Sequence, residues 1–107
     1  MKVCISNLGR WHSDYAIALE AMKEVKDVQV VNSIEECEIY FCLAGMYLTY
    51  GYKEKIEEEL KKAMEADKII YVVAPHGSNY IPKYFRDKKL KHIALQKNKF
   101  ISLLQQI

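Results

Sequence analysis

Three consecutive glutamates, Glu57, Glu58 and Glu59, stand in an amphipathic stretch over residues 53–66. At about 100° per residue, Ile56, Leu60, Ala63 and Met64 fall on one apolar stripe. Glu58 points away from that stripe and has Lys62 at i+4. Glu57 flanks it and has Lys61 at i+4, so both fit a solvated helix face. Glu59 lies on the other flank, below Tyr52 and Lys55, with Ala63 rather than a lysine at i+4. A carboxylate in that position is a candidate for chemistry. It serves equally well as a helix-boundary charge.

The glycines set out a second group of residues. All four fall after predicted strands: Gly9 after the first, Gly45 and Gly51 after the third, Gly77 after the fourth. Glycine admits positive φ and lets backbone approach a ligand closely, although it also simply closes turns. Ser6, Asn7, Gly9 and Arg10 follow the first strand, and Gly45 and Tyr47 follow the third. These residues are expected to line a ligand crevice between the two strands. Arg10 can hold a phosphate, and Trp11 can pack over the crevice. Tyr47, Tyr50 and Tyr52 can stack on a base or cover the core. His76, between Pro75 and Gly77, can contact the ligand or satisfy the turn.

Apolar periodicity supplies the elements that position them. Strands are expected over residues 3–5, 28–31, 39–43, 69–73 and 92–95. A first helix begins at Ser13 as N-cap, with Asp14 in its first turn and Tyr15, Ala18, Leu19, Met22 and Val25 inward. Ser33 with Glu36 forms a capping box for a brief helix. The longest helix covers residues 53–66, and Phe100, Ile101, Leu104 and Ile107 mark the last. The third and fourth strands lack polar alternation, as parallel strands covered on both faces do. The fold class is therefore α/β: one domain over residues 1–107, three-layer and flavodoxin-like, with a five-stranded parallel sheet of order 2-1-3-4-5. Such sheets bind ligands outside the carboxyl ends of their strands, where the order reverses, here between strands 1 and 3.

Composition excludes several classes. The chain of 107 residues is 50% hydrophobic and 28% charged, with a net charge of +2. That charge is too small to imply nucleic acid or an anionic membrane as partner. The late basic run, Lys83 to Lys99, reads as a solvated rim. No apolar run reaches membrane-spanning length. Three cysteines without a CxxC pairing argue against a disulfide framework or a zinc site, so a cytoplasmic, metal-free protein with no permanently bound cofactor is expected. There is no Walker A sequence, no GxGxxG and no Ser-His-Asp elbow.

Short motifs along nearly the whole chain carry a resemblance: Cys4-Ile5-Ser6 with His12-Ser13-Asp14-Tyr15, Leu43-Ala44-Gly45-Met46-Tyr47, Glu59 with Ala63, and Asp67-Lys68-Ile69-Ile70 through Pro75-His76-Gly77. In this order they resemble TIR-like domains of the Thoeris anti-phage (ThsB) type. The resemblance implies a TIR-type variant of the flavodoxin-like fold and a signalling domain that binds a nicotinamide or adenine nucleotide. It implies NAD⁺ as substrate, hydrolysed or cyclised, with Glu59 as the key carboxylate of such an NAD⁺ nucleosidase. It also implies homo-oligomers formed through TIR-type contacts. Two other readings stay open: a non-enzymatic TIR-type interaction module, and a nucleoside 2-deoxyribosyltransferase-like enzyme.

Overall fold

Five short parallel strands alternate with helices in the computed structural model, which describes every residue except Asn7, Gly9 and Ile107. The elements are β1 (Lys2–Ile5), α1 (Ser13–Lys23), β2 (Gln29–Val30), β3 (Ile39–Leu43), α2 (Ala44–Tyr47), α3 (Lys53–Glu65), β4 (Ile69–Val73), α4 (Lys83–Asp87), β5 (Lys91–Ile93) and α5 (Lys97–Gln106). The sheet order is β2-β1-β3-β4-β5, all parallel, as expected. The architecture is the three-layer flavodoxin-like one.

The period-2 alternation of β3 shows how the layers form. Phe41 turns its ring to Phe100 of α5 at 5.3 Å between centroids, on the face where α1 and α5 pack together. Its neighbour Tyr40 turns the other way, toward α3. Every residue of β3 is buried, which explains its continuous apolar run. α3 buries Ile56, Leu60 and Ala63. Two helix-to-strand turns without glycine close on aspartates in the left-handed region, Asp27 at φ 67° and Asp67 at φ 56°, a conformation that aspartate tolerates better than most residues.

Several expectations are corrected. The N-cap of α1 is His12, not Ser13; its Nδ1 accepts the Asp14 N–H at 3.1 Å. An Nδ1 that accepts carries no proton, so the Asp14 carboxylate 3.8 Å away is a neighbour rather than an ion-pair partner. β2 shortens to two residues and β5 shifts to Lys91–Ile93, since edge strands have a ladder on one side only. The Ser33–Glu36 segment is a turn, because Ser33 donates to Glu35 Oε2 at 2.7 Å instead of capping a helix. Two short helices, α2 and α4, were not expected. α4 is anchored by Phe85, whose ring meets Tyr47 at 4.9 Å. Met64, placed on the buried stripe, is 40% exposed; it faces the groove beside α4, a helix too short to cover it. The last helix ends at Gln106, and Ile107 lies outside the described residues.

Candidate functional site

Tyr40 lies at the centre of the sheet with no exposed surface, so its hydroxyl must find a partner inside. That partner is Glu59 of α3: the phenol donates to Oε1. Behind it, Ser6 Oγ stands 3.2 Å from the Tyr40 hydroxyl and 3.3 Å from the Phe41 carbonyl, and accepts the Leu43 N–H at 3.0 Å. With the Tyr40 proton committed to Glu59, the single Ser6 proton is shared between the Tyr40 oxygen and the Phe41 carbonyl. Ser6 therefore links the end of β1 to β3 and supports the tyrosine that holds the glutamate. Among the described residues no buried side-chain polar atom lacks a partner.

Burial, followed by the nearby Cys42 and Glu59, holds the Tyr40 phenol well above its ordinary range. Tyr40 is therefore a fixed donor at neutral pH. Burial also pushes the Cys4 and Cys42 thiols up to about 12. Neither thiol supplies a thiolate nucleophile. All three cysteines are free and buried, and no cluster that could hold a metal ion exists among the described residues.

Glu59 borders an open cavity of about 380 Å³, within the size range of small-molecule sites. Leu8, after β1, and Asn32, Ser33 and Ile34, after β2, form one wall. Lys55, Glu58 and Lys62 of α3 flank the glutamate. A wider groove of about 610 Å³ runs between α3 and α4. Its carboxylates include Glu57, which accepts the Tyr47 hydroxyl at 2.9 Å instead of pairing with Lys61. That groove touches no strand end, so the Glu59 cavity is the candidate site.

The structure distributes the residues singled out in the sequence unevenly. Glu59 and Ser6 join one hydrogen-bonded chain. Arg10 is exposed, yet near enough to act on the Cys4 thiol, lowering it against the effect of burial. Gly45 instead faces α1, where an added Cβ would meet Asp14 Oδ2 at 2.3 Å. Tyr47 packs between Tyr84 and Phe85. His76 is exposed in its turn and does not line the cavity. Asn7 and Gly9 lie outside the described residues. The crevice thus opens toward β2, not β3. Sequence reasoning passed over Tyr40 and the segment after β2. The available signal was a lone hydroxyl in the run Ile39-Tyr40-Phe41-Cys42-Leu43, which burial obliges to find a partner.

Fold and site together define an α/β domain of the flavodoxin-like class with a cavity beyond the carboxyl ends of β1 and β2 lined by three carboxylates, Glu35, Glu58 and Glu59, of which Glu59 accepts from a buried hydroxyl. No protein-family model matches the sequence, and no curated protein matches it. Among solved structures the chain is similar to the CMP N-glycosidase BcmB of Clostridium botulinum, with a TM-score of 0.61 and 14% identity, over 98% of this chain and 99% of that one. The likeness establishes a shared fold.

Proposed function

We infer that this protein breaks the N-glycosidic bond of a nucleotide, with Glu59 facing the anomeric carbon. The observation that carries the reading is the Glu59 carboxylate, fixed by the buried Tyr40 hydroxyl at the edge of the cavity. Cleavage of such a bond builds positive charge on the sugar ring, and a preorganised carboxylate stabilises that charge or captures the carbon. Support comes from the shared fold with a CMP N-glycosidase and from the resemblance to TIR-like domains of the Thoeris type, whose NAD⁺ chemistry breaks the same class of bond. NAD⁺ and cytidine 5′-monophosphate are therefore the two substrates to compare.

The test is base release from each nucleotide, followed by chromatography with wild type and Glu59→Gln. Release by wild type that falls at least about tenfold in the variant supports the reading. Transfer of the sugar to an added second base, in place of water, would assign a transferase instead. Absence of turnover on both nucleotides would leave the docking-module reading in its place.

A further inference from the structure

Trp11 is 64% exposed in the loop between β1 and α1, and its indole does not stand alone. It lies 5.7 Å from the Tyr52 ring, tilted by 58°. Tyr52 is the residue before α3 and packs partly against the core. The Lys55 ammonium sits 5.2 Å over the Tyr52 ring, and Lys55 lines the cavity that Glu59 borders. Trp11, Tyr52, Lys55 and Glu59 thus follow one another along a single edge of the molecule. From Tyr52, the N-cap of α3, to Glu59 is seven residues, which returns to nearly the same face about 10.5 Å further along the axis. Helical side chains lean toward the N-terminus, so the carboxylate reaches back toward the aromatic pair. A glutamate side chain, a ribosyl group and a base fill that span between them.

The geometry points to Trp11 and Tyr52 as the platform for the leaving base: a planar heteroaromatic ring stacks on the open indole face while the ribosyl carbon meets Glu59. This assignment rests on the nucleotide reading above and adds which end of the ligand lies where. Tyr52 and His12, whose ring lies 5.6 Å away, hold the indole, and its exposed surface is left to the ligand. Stacking of this kind accepts many bases, because every base offers a π-face. Selection among bases then falls to the polar groups around the rim. Tyr50, wholly exposed, and Tyr47, engaged with Glu57 and α4, are not part of the platform.

Trp11 is the only tryptophan of the chain, so its emission reports on the site directly. Cytidine 5′-monophosphate and NAD⁺ are titrated into the Glu59→Gln variant, chosen for its slowed turnover, with ribose 5-phosphate as the baseless control. The expected result is saturable quenching by the nucleotides and none by ribose 5-phosphate. By calorimetry, Trp11→Ala binds the nucleotides roughly tenfold or more weakly, while Trp11→Phe stays within about threefold. Nucleotide binding that leaves the emission unchanged overturns the assignment, as do equal quenching by ribose 5-phosphate, unchanged affinity in Trp11→Ala, and absence of nucleotide binding. Quenching with no base release by wild type leaves the platform standing and removes the glycosidase reading alone.

Discussion

The Tyr40 hydroxyl, buried at the middle of the sheet, donates to the Glu59 carboxylate at the cavity edge. A strand residue that sequence alone places in the core thereby orients the candidate catalytic group. Tyr40→Phe keeps the ring and removes only that donor. Loss of a hydrogen bond to a charged group is expected to cost about 1.5–3 kcal/mol of stability. Base release should fall, because the donor that orients the carboxylate is gone. Base release equal to wild type would reduce Tyr40 to a packing residue.

Glu59→Gln preserves size and helix propensity and removes the charge. A loss of at least about tenfold in kcat/KM, or 1.4 kcal/mol of transition-state stabilisation, is expected. Glu65→Gln, on the same helix but outside the cavity lining, should retain wild-type turnover. Equal rates for the two variants would take Glu59 out of the chemistry.

Gly45→Ala tests the packing between α2 and α1. The new Cβ would sit 2.3 Å from Asp14 Oδ2, and Asp14 is only 4% exposed, so its carboxylate has little room to yield. Destabilisation of about 1–3 kcal/mol is expected, as overpacking generally gives. Chemical denaturation measures it. A variant as stable as wild type would show that the α1 N-terminus shifts freely.

Alkaline pH should weaken the fold. Burial raises the Cys42 thiol from 9.0 to about 12, and the Cys4 thiol likewise. The unfolded chain releases these protons first, so stability is fully present below about pH 9 and declines as pH rises toward 12. The Tyr40 phenol adds to the decline in the same direction. Melting temperatures measured from pH 7 to 11 should hold steady and then fall. A flat profile across that range would mean the thiols ionise as readily folded as unfolded.

Periodicity and composition were enough for the layer architecture, because each helix and strand must bury its own apolar face. β3 and β4 are strong enough apolar runs that their bounds, Ile39–Leu43 and Ile69–Val73, match the sequence reading residue for residue. Glu59 was also legible, since its angular position on α3 depends only on the helix repeat. The partner of Glu59 was not. Tyr40 lies nineteen residues away, and only the packing of α3 on that face of β3 brings phenol and carboxylate together. The cavity opens toward β2 for a similar reason. Gly45 and Tyr47 are turned to α1 and α4 by contacts with Asp14 and Phe85, interactions between distant segments that local propensity does not encode. Sequence decides which faces must be buried; tertiary packing decides which polar groups meet once they are.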